Sequence, residues 1–213
     1  MSRLQCMRDA VRRVTGYASA RLWERLQWPD VGVIHGRRGM FGVVTYLQQC
    51  GDPTLTRQVL AQFGASIDVD CGPLGPNLTL HEAPDGFANL TVGARVHIGR
   101  QVFLDLTDRI IIEDDVSIGM RAIILTHLNM GDPSKPVCRV FPTRHQPTVL
   151  RRGCSIGSGA IIASGVEIGE DSVINAGVLI DRDVPARTVV TTPRTKPDLR
   201  IPDRLFAIHL VAN

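Results

Sequence analysis

LRRGCSIGSGAIIASGVEIGEDSVINAGVLIDRDV, residues 150–184, is built on a period of six. Leu150, Ile156, Ile162, Ile168, Ile174 and Ile180 stand in step. Four residues after each comes a small or β-branched residue: Cys154, Ala160, Val166, Ser172, Val178 and Val184. One residue after each comes a mostly small or polar one: Arg151, Gly157, Ala163, Gly169, Asn175 and Asp181. A period of six matches neither a helix nor a simple strand. It matches a chain that makes a short strand, turns, and makes another at a fixed angle. Three hexads then close one triangular coil, with the aliphatic pointing inward and the small residue near the corner. Coils stack at the strand spacing of roughly 4.8 Å. Each unit gains its stability from its neighbours, so several are required.

The same phase runs upstream. Val92, Ile98 and Leu104 are six apart, followed by Gly93, Gly99 and Asp105. After Leu104 the register slips by two residues, then resumes at Ile112, Ile118 and Ile124. The stretch 65–91 is less regular, with Ile67, Cys71, Leu78 and Leu90 marking one or two imperfect coils. Between the two regular blocks, Asn129 to Pro147 holds Pro133, Pro136, Pro142 and Pro147 and breaks the period. A long segment of this kind inside a compact domain is more often functional than idle. The reading is an excursion, 129–147, that leaves the prism and returns.

The N-terminal 64 residues differ. Leu4, Met7, Val11, Val14, Ala18 and Leu22 follow helical spacing, with Arg3, Arg8, Arg12, Arg13, Arg21 and Arg25 on the other face. Pro29 ends this element, and a helix over about 39–50 follows. Asp52-Pro53 reads as an N-cap with proline at the first helical position, opening a short helix that Gly64 ends. The expected architecture is an all-β solenoid with a helical appendage over 1–64, a prism over 65–190 and a tail over 191–213.

Net charge is +3, too small to argue for nucleic acid. The five cysteines show neither a CxxC pair nor a disulfide framework. No apolar run approaches a membrane span or a secretory leader. The expectation is a reduced, cytoplasmic protein.

Thr126-His127 closes the last hexad before the excursion. Imidazole titrates near neutral pH and serves as a general base. Asp105, at the register slip, together with Asn129, Asp132 and His145, is placed to aim an acceptor hydroxyl at that base. His97 points outward from the prism, and His81 and His209 read as ordinary surface residues. Cys154 sits in a column of small buried residues, which disfavours a nucleophile. The histidine spacing offers no close pair for zinc, and no metal is expected.

The motifs Val-His-Ile-Gly (96–99), Val-Ser-Ile-Gly (116–119), Ile-Leu-Thr-His (124–127), Cys-Ser-Ile-Gly (154–157), Val-Glu-Ile-Gly (166–169) and Asp-Arg-Asp-Val-Pro (181–185) resemble those of the hexapeptide-repeat acyltransferases. The resemblance is to their galactoside, maltose and polysaccharide O-acetyltransferase branch. It covers about 65–195. It implies a left-handed parallel β-helix, a homotrimer, acetyl-CoA or another acyl-CoA as co-substrate, and a small hydroxylated acceptor such as a sugar. It puts the family's catalytic histidine on His127. It implies pantetheine contacts near Ala163 and Gly177, and phosphate contacts from Arg182, Arg187, Arg194 and Lys196. The chain departs from the family at Ser155 and at Thr191–Lys196, which loosens the assignment of the CoA side. N-acyl transfer to an amino sugar and a non-catalytic trimeric scaffold are the competing readings.

Overall fold

The structure, a computed structural model, describes residues 30–81 and 83–192. The expected amphipathic element around Leu4–Arg25 lies outside them, as do Arg194 and Lys196. Helix α1, Val31–Gln49, is capped by the Asp30 carboxylate, which accepts from the Gly32 N–H. It begins well before the expected position 39, because the helix continues through a kink at Gly39 (φ 59°) that only glycine takes readily. Helix α2, Pro53–Gln62, opens as Asp52-Pro53 predicts, with the Asp52 carboxylate accepting from the N–H groups of Thr54 and Leu55. Val43 and Leu47 of α1 and Val59 and Leu60 of α2 join the core of the prism.

That prism is a left-handed parallel β-helix with three faces of five strands each. Face I comprises Ser66–Ile67, Leu90–Val92, Ile110–Ile112, Thr148–Leu150 and Glu167–Ile168. Face II comprises His97–Ile98, Ser117–Ile118, Ser155–Ile156, Val173–Ile174 and Val189–Val190. Face III comprises Thr79–His81, Phe103–Asp105, Ile123–Ile124, Ile161–Ile162 and Leu179–Ile180. The in-register aliphatics are buried as ladders, such as Leu80, Leu104, Ile124, Ile162 and Ile180 behind face III. Gly119 and Gly157 show why the residue after an aliphatic is small. A Cβ on either would press against the backbone of the next coil.

The breaks in the period all but coincide with one edge of the prism. Passing from face I to face II, equivalent positions are six apart in every coil: Val92 to Ile98, Ile112 to Ile118, Leu150 to Ile156, Ile168 to Ile174 and Val184 to Val190. From face II to face III the step is again six, as from Ile98 to Leu104 and Ile118 to Ile124. These two corners reuse one turn with a residue at positive φ, for example Asp115, Gly153 and Asp171 at the first and Arg121, Gly159 and Gly177 at the second. From face III back to face I the step is twelve (Leu80 to Val92), eight (Leu104 to Ile112), twenty-six (Ile124 to Leu150), six (Ile162 to Ile168) and four (Ile180 to Val184). Outside this corner, among the described residues, only the entry strand deviates, with a step of seven from Ile67 to Leu74.

The excursion has structure of its own. It contains a short helix α3, Pro136–Val140, and a strand, Arg144–His145, that returns antiparallel to His127–Leu128.

Replacing Ile168, buried on the last strand of the face I ladder, by aspartate puts an unpaired charge in the prism, at a cost of several kcal/mol. The Ile168→Asp protein is expected to be insoluble or unfolded by circular dichroism. A soluble variant with wild-type thermal stability contradicts the inward assignment.

Candidate active site

The irregular corner gathers the titratable side chains. Asp105 ends its strand on face III and is fully buried. Both of its carboxylate oxygens are occupied. Oδ1 accepts from the Thr107 N–H (3.2 Å) and the Thr107 hydroxyl (2.7 Å). Oδ2 accepts from the Thr126 N–H (2.8 Å) and the His127 N–H (3.0 Å), and lies 2.6 Å from His127 Nδ1. The Thr126 hydroxyl donates to the Asp105 carbonyl (2.9 Å) and accepts from the Asp108 N–H (3.0 Å). The two-residue register slip therefore builds a turn, 105–108, that is bolted to Thr126-His127 on the next coil.

Burial by itself would push the Asp105 carboxyl up. The hydrogen bonds from Thr107, Thr126 and His127 more than offset it and hold the group down at about 2. A carboxylate oxygen accepts, so the contact favours the imidazole tautomer that carries its proton on Nδ1. The His127 side chain is 17% exposed. The printed contacts of the Asp105 carboxylate go to the turn and to Thr126-His127.

The other expected residues divide sharply. His145, on the returning strand, is the register partner of His127, and their ring centroids are 6.3 Å apart. Asn129 and Asp132 are exposed, and each caps its own turn: Asn129 Oδ1 accepts from the Gly131 N–H (2.7 Å) and Asp132 Oδ1 from the Ser134 N–H (2.8 Å). That local bond holds the Asp132 carboxyl below its ordinary value. Neither makes a described contact with His127. Short polar side chains in Pro/Gly-rich loops bond their own backbone readily, and sequence distance from His127 does not reveal this.

Two further residues belong to the site. Thr107 stands out in no motif, yet its hydroxyl contacts both Asp105 and, at 3.1 Å, His127 Nδ1. His81 was read as an ordinary surface residue. Its ring stacks on His127 with centroids 5.8 Å apart and planes 19° apart. The available signal is positional: His81, like Asp105, directly follows a face III aliphatic.

On the expected CoA side, the Ala163 N–H already donates to the Ile180 carbonyl (2.9 Å) and the Gly177 N–H to the Ser158 carbonyl (3.0 Å). Stacked coils consume these donors, so they are not free for pantetheine. Register places Ala163 and Arg182 on the same corner as Thr126, one and two coils further along. Gly177 lies at the corner between faces II and III. Arg187, whose N–H donates to the Glu170 carbonyl, lies at the corner between faces I and II. Arg182 and Arg187 thus lie at different corners of the prism. His97 stands on face II, away from this corner, where it helps line a shallow cleft of about 470 Å³ with Ser117 and Ser155. Burial pushes the Cys154 thiol up to about 12, so it stays an un-ionised packing group. Among the described residues no group of three or more His, Cys, Asp or Glu is arranged to hold a metal ion.

Residues 147–182 match the model of the bacterial transferase hexapeptide, six repeats. No curated protein matches the sequence. Among solved structures, a hexapeptide-repeat acetyltransferase from Vibrio cholerae superposes with a TM-score of 0.58 at 24% identity, over 73% of this chain and 85% of its own. A maltose O-acetyltransferase from Clostridium difficile 630 gives 0.54 at 25% identity, over 65% of this chain and 71% of its own. A galactoside acetyltransferase in complex with coenzyme A gives 0.59 at 19% identity, over 80% of this chain and 84% of its own. The chain thus carries the transferase hexapeptide repeat and shares the fold of the hexapeptide-repeat acetyltransferases.

The depressed Asp105 group sets a direction for acid sensitivity. Its ordinary value is 3.8, and in the folded protein it is about 2. Its contribution is present above about pH 4 and is lost as pH falls through 2. Urea unfolding at pH 5 and pH 2.5 should show the wild type losing more stability than Asp105→Asn, by on the order of 1–2 kcal/mol. Equal losses in the two proteins would show that this carboxylate does not titrate as described.

Proposed function

We propose that the chain is an acyl-CoA-dependent O-acyltransferase, acetyl-CoA being the donor, that acts on a sugar or another small hydroxylated acceptor with His127 as general base. The observation that carries this is the buried Asp105 carboxylate at 2.6 Å from His127 Nδ1, at the corner where the repeat is broken. The transferase hexapeptide match over 147–182 and the acetyltransferase fold support the reaction class.

In this reading the acceptor hydroxyl gives its proton to His127 Nε2 as its oxygen attacks the thioester carbonyl. Asp105 orients the ring through Nδ1–H and stabilises the imidazolium that forms. A backbone N–H stabilises the oxyanion. The tetrahedral intermediate collapses with cleavage of the carbon–sulfur bond, and the imidazolium returns its proton to the departing thiolate. No covalent enzyme intermediate and no metal is required. Acyl-CoA would run from His127 along the corner past Ala163 toward Arg182, whose guanidinium is exposed. Arg182 is then the described cation for its phosphates.

We further propose a homotrimer. Leu179 on face III and Val173 and Val189 on face II remain exposed on the last coils. A neighbouring prism would cover them and wall off the acyl-CoA groove. No described helix is long and apolar enough to cross a membrane.

The test is a thiol-release assay with acetyl-CoA across sugars, amino sugars and small hydroxylated metabolites. His127→Ala is expected to lower turnover by at least about 100-fold with folding intact. Near-full activity in that variant would sink the mechanism. Asp105→Asn should cost at least about tenfold, through the tautomer and orientation of the ring. Acetyl-CoA should raise the melting temperature of both variants, since neither residue binds the donor in this reading. No shift in the wild type would favour a non-catalytic scaffold.

A further inference from the structure

The contacts at Nδ1 hold one edge of the base. The Asp105 oxygen at 2.6 Å and the Thr107 hydroxyl at 3.1 Å both meet the same ring nitrogen. The ring moves through its two side-chain torsions, and small changes in them swing Nε2, the atom that would take the acceptor's proton. A packed ring face resists those changes in a way that contacts at one edge do not.

The flat neighbour is His81. It lies two coils before His127 and one before Asp105, its register partner. Its ring is 5.8 Å from that of His127 and within 19° of parallel. Phe103, which precedes the Leu104–Asp105 pair on the same strand, backs His81 at 5.9 Å and 30°. His81 thus has a ring neighbour on each of two coils, Phe103 and His127, while His145 lies 6.3 Å from His127 at a looser angle of 36°. Rings at such separations hold preferred relative orientations. A misplacement of about 1 Å at a reacting atom can cost on the order of 100-fold in rate.

We propose that His81 is a positioning residue: its ring, stacked on His127 and backed by Phe103, fixes the plane of the base and so the direction of Nε2. This rests on the reading of His127 as general base. What His81 supplies is a flat surface, not a charge or a proton. The consequence is a specific pattern of rescue.

Turnover of acetyl-CoA is measured with maltose as acceptor, and with water where maltose is not taken, in His81→Ala, His81→Leu and His81→Phe, with His127→Ala alongside. His81→Ala is expected to lower kcat by about 10- to 100-fold with KM for acetyl-CoA unchanged. His81→Leu, which restores bulk without a flat face, should remain impaired and guards against a folding defect in the alanine variant. His81→Phe should recover kcat to within about threefold of wild type. Full activity in His81→Ala or His81→Leu overturns the proposal. So does a His81→Phe protein as impaired as His81→Ala, because the imidazole would then act through its nitrogens. A loss confined to the KM for maltose also overturns it and makes His81 an acceptor contact. If His127→Ala keeps its activity, the general-base reading falls and takes this inference with it. If His127→Ala is inactive and His81→Ala is not, only the inference falls.

Discussion

Every coil of this protein depends on the coils above and below it for its backbone hydrogen bonds. The strands are two or three residues long, far too short to stand alone. What holds them is the in-register parallel pairing of equivalent residues, such as Ile118 with Ile156 and Ile124 with Ile162. This requirement is strict along the faces and, past the entry step from Ile67 to Leu74, at two of the corners. A single inserted residue there would flip the side chains of the following strand. Variation is tolerated where the chain can bulge outward between faces and rejoin in register. One corner has that freedom, and there the steps between equivalent positions range from four to twenty-six residues.

The chemistry of the corner follows from that tolerance. An insertion of two residues lets the chain after Leu104 turn back on itself, so that Asp105 is roofed by Thr107, Thr126 and His127. A charge buried without partners would be prohibitive. Here five donors converge on it, three of them backbone N–H groups held by the fold. The carboxylate oxygens accept, and so they favour the imidazole tautomer with its proton on Nδ1. Elsewhere the same prism treats polar groups as packing problems. The Ser172 hydroxyl is satisfied by the Pro185 carbonyl and the Thr188 N–H, and Cys154 is kept neutral by burial.

The face III ladder shows how legibility fades. Ile162 and Ile180 are obvious from the period, and so is Gly157, whose missing Cβ makes room for the next coil. His127 is legible because it closes a regular block beside a long interruption. Asp105 is legible as a residue at a slip, but its partner is not. Asn129 and Asp132 look as suitable as His145 until the loop folds, because nothing local says that two of them will bond their own backbone while the third is carried back beside His127. The Ala163 and Gly177 amides look available until the next coil takes them.

The sequence by itself determined the prism, the two blocks and the position of the excursion, because a six-residue period with inward aliphatics has one economical way to bury them. It also singled out His127. Only the tertiary structure decided what His127 touches. Asp105 is 22 residues away in sequence and His81 is 46 away. Both meet it across coils, at separations set by the lengths of irregular corner segments. Those lengths carry no periodicity to read, so the meeting of these rings and the carboxylate exists only once the coils are stacked.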